Sequence, residues 1–299
     1  MKRSSEKAIK DLLSFYGAFG RPLSLIEILT RIPSEISTPE EVFEFLNNSV
    51  ASGKVIMEEG FYWRKEFSLS GTKRKAQDLY LDSKWKKLQK LSEWFRHIPF
   101  FEFVMASGSL SFGNVNPNSD FDVVTGVREG RIFTARYFAS ALFSVLHARR
   151  LDDLQASSPD KLCFNHFITR PTYSKPPHNY YRKELYRNMV PLWCNEAACE
   201  EFIRMNEWSG ITQYALLDLH CARKGKSVFA KSIEWMLSGV VGDFVEQRIA
   251  RPIAMKRLSA YLSRKADASN EAGERVIIRD EELEFHFVLN YEKKFEGLG

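Results

Sequence analysis

Residues 107–122 constrain this chain more than any other segment. They read Ser-Gly-Ser-Leu-Ser-Phe-Gly-Asn-Val-Asn-Pro-Asn-Ser-Asp-Phe-Asp. A Gly-Ser turn, Gly108 and Ser109, follows an apolar stretch over residues 100–106. An Asp-x-Asp pair, Asp120 and Asp122, heads a second apolar stretch that continues through Val123 and Val124. In an extended strand alternate side chains share a face, so the two carboxylates project together while Phe121 and Val123 point into a core. Neighbouring carboxylates repel each other unless a cation lies between them. Mg²⁺, or Mn²⁺ in its place, takes one or two carboxylates and completes its shell with water and phosphate oxygens. Gly108 lets the backbone turn tightly against a ligand. Ser109 adds a hydroxyl, and a helical turn starting there aims N–H groups at an anion. These parts suit a nucleoside triphosphate held through a divalent cation, because phosphoryl chemistry relies mainly on positioning and charge neutralisation. A polar loop between two core strands would account for the Asn, Ser and Pro residues, but not for two acids inside an apolar strand.

At these residues the chain resembles the DNA polymerase β-like nucleotidyltransferase superfamily, especially its small minimal members. The family pattern is Gly-Ser, a small residue, Arg-Gly, a short polar loop with Pro, then Ser-Asp-x-Asp and an apolar residue. Gly108, Ser109, Gly113, Pro117, Ser119, Asp120, Asp122 and Val123 match at the family's spacing, whereas Phe112 stands where Arg is common. The resemblance covers residues 100–170. It implies an α/β (α+β) fold with a small mixed β-sheet core, and transfer of a nucleoside monophosphate from an NTP to a hydroxyl acceptor with release of pyrophosphate. Asp120 and Asp122 would bind the metal, and Gly108, Ser109 and Ser119 would lie against the nucleotide. The acceptor stays open among a protein side chain, an RNA end and a small molecule. Two rival readings are a nucleotide sensor without turnover and a nucleic-acid-binding regulator.

The resemblance also implies a third carboxylate on the next core strand, where it can accept the proton of the attacking hydroxyl. Residues 161–169 read as that strand, and its middle carries no acid. Period-two alternation puts Cys163, Asn165 and Phe167 on one face, with Leu162, Phe164, His166 and Ile168 on the other. Asn165 takes the third-acid position in this reading; its amide can ligate a cation but is a poor base. Asp160 is the fallback, and His166 reads either as a base or as a packed core residue. Arg131 and Arg136, on the helix expected after the acid strand, are candidates to reach the triphosphate in place of the missing Arg. Arg149 and Arg150 read as the positive C-terminal end of that helix.

Elsewhere the sequence bounds class more than chemistry. A chain of 299 residues, 44% hydrophobic, can build a core plus an extension. Its cysteines have no C-x-x-C spacing, which argues against zinc. No apolar run approaches the ~18 residues of a membrane span, and nothing at the start resembles a leader. The expectation is a cytoplasmic protein with no membrane partner. The net charge of +5 equals the excess within residues 72–90, where seven basic residues face two acids. With Tyr80 and Trp85, that segment reads either as a track for a phosphate backbone or as a solvated helix face.

The expected organisation is an N-terminal module over residues 1–71, a basic linker helix over 72–99, a core over 100–175 and a helical extension over 176–299. In the module, three helices and a hairpin resemble a winged helix-turn-helix. Thr38-Pro39-Glu40-Glu41 is a helix start with a capping box, Gly53 is its stop, and Glu59-Gly60 turns a hairpin. The third helix carries Glu40, Glu41 and Glu44 with no Lys or Arg, so docking to protein is favoured over reading a DNA groove. In the extension, helices are expected over residues 181–192, 196–204, 212–221 and 231–264. A closing hairpin is expected over 275–278 and 283–287.

Overall fold

Capping chemistry sets two helix starts near the N-terminus. Ser24 and Thr38 each accept a hydrogen bond from the backbone N–H three residues on, and Glu27 and Glu41 reach back to the N–H of their caps. Donors that a helix start leaves open are thereby satisfied in pairs. The computed structural model describes residues 3–150, 158–211, 225–266, 275–286 and 295. The chain divides into two units: Met1–Asp82 with Gly113–Asn116 and Lys294–Gly299, and Ser83–Phe112 with Pro117–Lys293.

The first unit contains α1 (Arg3–Ala18), β1 (Leu23–Ser24), α2 (Leu25–Arg31), α3 (Pro39–Ala51), β2 (Val55–Glu58), β3 (Phe61–Arg64) and the first half of α4 (Gly71–Ser92). The expected helices and hairpin are present. Glu59 and Gly60 both have positive φ at the turn, as a tight two-residue hairpin requires. The two-residue β1 has no signal in the sequence; it pairs with β3, giving an antiparallel sheet ordered β1-β3-β2. Ile9, Leu12, Leu13, Phe15 and Tyr16 of α1 are buried, as the 3.6-residue period predicts. A charged cluster lies beside this core. Glu27 Oε1 accepts from both Arg21 and Arg74 at 2.9 Å, and both guanidiniums are buried. Burial pushes the Glu27 carboxyl up, but Arg21, the Ser24 N–H and Arg74 together hold it below its ordinary value.

The second unit carries β4 (Phe101–Ala106), α5 (Gly108–Ser111), β5 (Phe121–Val127), α6 (Ile132–Val145), β6 (Leu162–Ile168), α7 (Tyr180–Arg187), β7 (Val190–Cys194), α8 (Glu196–Met205), α9 (Val228–Met236), α10 (Gly239–Val245), α11 (Arg251–Ala266), β8 (Arg275–Ile278) and β9 (Glu282–His286). Six strands form one mixed sheet in the order β7-β4-β5-β6-β9-β8. The β5–β6 pair is parallel and the rest are antiparallel. The protein is thus mixed α/β with two sheets, as expected at the level of class. The sheet takes β7, β8 and β9 from beyond residue 175, so its strands come from both sides of the boundary expected there.

Several expectations change in detail. The helix expected over residues 181–192 ends at Arg187, and Val-Pro-Leu-Trp-Cys becomes edge strand β7, which accommodates Pro191. Gly126 lies inside β5, where a Cβ would meet the Phe103 ring at 2.3 Å, so the missing side chain admits that ring. The long helix expected over 231–264 is broken at Leu237–Ser238, and a π-helical turn over Glu246–Ala250 precedes Pro252. The expected helix over 212–221 and the last residue of the expected closing hairpin, Phe287, lie outside the described residues. Among the described residues no helix is long and apolar enough to cross a membrane.

One irregularity decides which side chains share a face. Between Asp122↔Cys163 and Val124↔His166, β5 advances two residues and β6 three. This bulge reverses the alternation along β6. Phe164 and Phe167, expected on opposite faces, instead stack with ring centroids 6.0 Å apart, and Phe143 of α6 lies 5.4 Å from Phe164. On the other face, Phe103, Met105, Val124 and Ile168 pack with Tyr186, Phe202 and Ile203 of α7 and α8.

Candidate metal and phosphate site

Asp122 is held from three sides. Its backbone carbonyl accepts from Ser107 N–H at 3.0 Å, tying the head of β5 to the end of β4. Its Oδ1 accepts from Asn165 Nδ2 at 2.8 Å. Gly108, at φ +63°, lies so close that a Cβ there would stand 2.4 Å from Asp122 Oδ2. Gly108 therefore meets two requirements at once: a left-handed backbone and space for a carboxylate. Gly108 and Ser109 open the single turn of α5, as the Gly-Ser signal predicts, and Ser111 Oγ closes it by donating to Gly108 O at 2.9 Å.

Asp120 precedes β5, and its Oδ2 accepts from Arg150 Nη1 at 2.6 Å. Arg150, expected at a helix end, lies beyond one. The helix stops earlier, at Val145, because His147 adopts a left-handed conformation (φ 51°) and Ala148 N–H donates back to Phe143 O. The chain then runs beside β6, with Arg149 bridged to Leu162 and Arg150 N–H donating to Leu162 O at 3.0 Å. That detour carries the guanidinium to the acid pair. With a histidine at the left-handed position, no glycine marks the stop in the sequence.

Carboxylate oxygens of Asp120 and Asp122 and the Cys163 sulfur all lie within 4.8 Å of one another. Two carboxylates and a thiol at that separation form a donor set able to surround a small cation, and all three side chains are half-buried. Asn165, expected at the third-acid position, does reach Asp122, but as a hydrogen-bond donor that orients it. Ser119 is half-buried beside Asp120, with its carbonyl accepting from Lys84 at 2.6 Å and from Asp160 N–H at 3.2 Å.

Other expected site residues lie elsewhere. Asp160 pairs with Lys84 at 2.9 Å and with Lys87. Burial pushes its carboxyl up, but the two lysines hold it below its ordinary value. The pairing explains part of the basic excess in α4: Lys84 is buried, and Lys75 and Lys87 are ion-paired. Arg131 and Arg136 do not join the acids. They follow β5 at its far end, roughly 15 Å or more along the strand from Asp122. Arg131 donates to Asp243 at 2.7 Å and to Gly130 O at 2.6 Å, and Arg136 lies 4.7 Å over the Phe285 ring. Both guanidiniums tie α6 to its neighbours.

His166 is a network residue, 3.1 Å from Glu282, which also accepts from Lys175 at 2.6 Å. Burial raises the Glu282 carboxyl, and His166 and Lys175 overcome it, leaving the carboxyl below its ordinary value. Comparison with protein-family models, curated proteins and solved structures finds no match to this chain.

Proposed function

We propose that the second unit is a divalent-cation-dependent nucleotidyltransferase centre of the polymerase β-like kind, moving an NMP group from an NTP to a hydroxyl acceptor. The observation that carries this reading is the seat of Asp122. A left-handed glycine packs on one of its carboxylate oxygens, while Asp120 and a neighbouring strand supply further donors. Asp120 and Asp122 would hold Mg²⁺ or Mn²⁺, which would neutralise polyphosphate charge as the leaving group departs. Gly108 and Ser109 would lie along the phosphates, and Asn165 would keep Asp122 turned toward them. Arg150 balances Asp120 without a cation and would shift to a phosphate oxygen when one is bound. In the transfer, the acceptor oxygen bonds to the α-phosphorus as the bond to the pyrophosphate oxygen breaks. The acceptor proton leaves to water.

A second reading has its own support. Asn165 donates to Asp122 where a carboxylate base would be expected, which favours a nucleotide-binding protein without turnover. For the first unit, the order helix, strand, helix, helix, hairpin supports a winged-helix-like module. Glu40 and Glu44 are exposed on α3, which favours a protein contact over a DNA groove.

The test incubates the full chain with α-labelled NTPs, Mg²⁺ or Mn²⁺, and pools of protein, RNA and small-molecule acceptors. Label transfer with stoichiometric pyrophosphate, lost in Asp120→Asn and Asp122→Asn, is the expected result. Cation-dependent nucleotide binding without pyrophosphate would select the second reading, and no cation-dependent binding at all would defeat both.

A further inference from the structure

The third donor at the acid pair is a sulfur atom. Cys163 stands directly across the parallel β5–β6 pair from Asp122. Its sulfur and one carboxylate oxygen from each aspartate lie within 4.8 Å of one another. Asn165, two residues on, is engaged in orienting Asp122. The strand that would be expected to provide a third carboxylate therefore presents a thiol to the same point in space.

We propose that Cys163 is the third protein ligand of the cation held by Asp120 and Asp122, and that the site prefers Zn²⁺ or Co²⁺ to Mg²⁺. The inference rests on the reading that the acid pair binds a cation. Mg²⁺ is a hard ion that takes oxygen ligands, so the sulfur adds little to its affinity. Thiolate ligands favour softer ions, and a mixed set of two carboxylates and one thiolate shifts the preference toward zinc and cobalt. On binding, the Cys163 S–H bond breaks, its proton passes to solvent, and the sulfur lone pair forms the bond to the metal. Water or a phosphate oxygen would complete the shell.

Co²⁺ is the probe. The full chain is titrated with CoCl₂ while heat and near-ultraviolet absorbance are followed together. The expected result is a thiolate-to-cobalt charge-transfer band that saturates at about one equivalent, in step with the heat. It disappears in Cys163→Ser, and in that variant Zn²⁺ affinity falls by on the order of a hundredfold while Mg²⁺ affinity changes little. Cys163→Ala, compared by circular dichroism and denaturation, shows whether either variant has lost its fold. Zn²⁺ should also shield Cys163 from iodoacetamide, located by peptide mass. Heat of Co²⁺ binding without the band, or a band that persists in Cys163→Ser, overturns sulfur ligation and leaves the acid-pair reading standing. Absence of any cation binding, in protein that is folded, overturns both.

Discussion

Replacing Gly108 with alanine perturbs the backbone turn and the Asp122 carboxylate together, and the two effects can be separated. The left-handed conformation at φ +63° costs a non-glycine residue about 1–2 kcal/mol. The added methyl would also stand 2.4 Å from Asp122 Oδ2 and 3.1 Å from its Cβ and Cγ, so the carboxylate has to rotate or the strand has to move. Overpacking of that kind costs about 1–3 kcal/mol more. Gly130 provides the control, because it has φ +70° and a methyl group there would meet nothing within 4 Å. Gly130→Ala should therefore lose only the backbone share, about 1–2 kcal/mol. Gly108→Ala should lose roughly 2–5 kcal/mol in urea denaturation. If the carboxylate rotates away, Mn²⁺ binding measured by calorimetry should weaken at least tenfold, which is about 1.4 kcal/mol. Gly130→Ala should bind Mn²⁺ as the parent does. Equal stability losses in the two variants, with cation binding intact in both, would refute the argument that Gly108 is there to make room for Asp122.

Asn165→Asp places a second carboxylate 2.8 Å from Asp122 Oδ1; without metal it should destabilise the fold by about 1–3 kcal/mol, and divalent cations should restore the loss in thermal melts. In the first unit, Glu27→Ala leaves the buried Arg21 and Arg74 with Asp78 as their remaining shared carboxylate and should cost about 2–3 kcal/mol by urea denaturation. Because the folded Glu27 pKa is depressed, its contribution is present above the unfolded value and is lost as pH falls through the folded one. Glu27→Gln should flatten the acid limb of the stability profile, and an unchanged limb would contradict the assignment. Glu246 caps α6 by accepting from Phe133 and Thr134 N–H at 2.8 and 2.9 Å, and burial outweighs these bonds to raise its carboxyl above the ordinary value. Its stabilising contribution should be fullest below the unfolded value and decline as pH rises through the folded one; Glu246→Gln should remove that decline in a denaturation series across pH.

What is legible in the sequence is written in local signals. The capping box at Thr38 and Glu41, the Glu59-Gly60 turn and the Gly-Ser helical turn each depend on residues within a few positions and form where local chemistry calls for them, whereas of the Asp-x-Asp pair only Asp122 lies within the strand. The departures share a physical cause: non-local pairing. The β6 bulge is set by registry with β5, so alternation counted along β6 alone gives Phe164 and His166 the wrong neighbours. β1 and β7 exist because a partner strand completes their hydrogen bonds, and two residues, or five containing Pro191, carry little signal alone. Arg131 and Arg136 are close to the acids in sequence, but β5 carries the chain away from Asp122 before α6 begins. Arg150 returns to Asp120 only because His147 ends α6 early. Nothing near Asp120 in the sequence points to it.

The account stands on whether Asp120 and Asp122 close on a divalent cation that carries a polyphosphate. Calorimetric titration of Mn²⁺ into the full chain, with and without ATP, measures this directly, with Asp122→Asn alongside. The account predicts saturable Mn²⁺ binding that ATP strengthens at least roughly tenfold and that Asp122→Asn abolishes in a protein of unchanged fold. Mn²⁺ binding equal in parent and variant, or ATP binding indifferent to the cation, would contradict it.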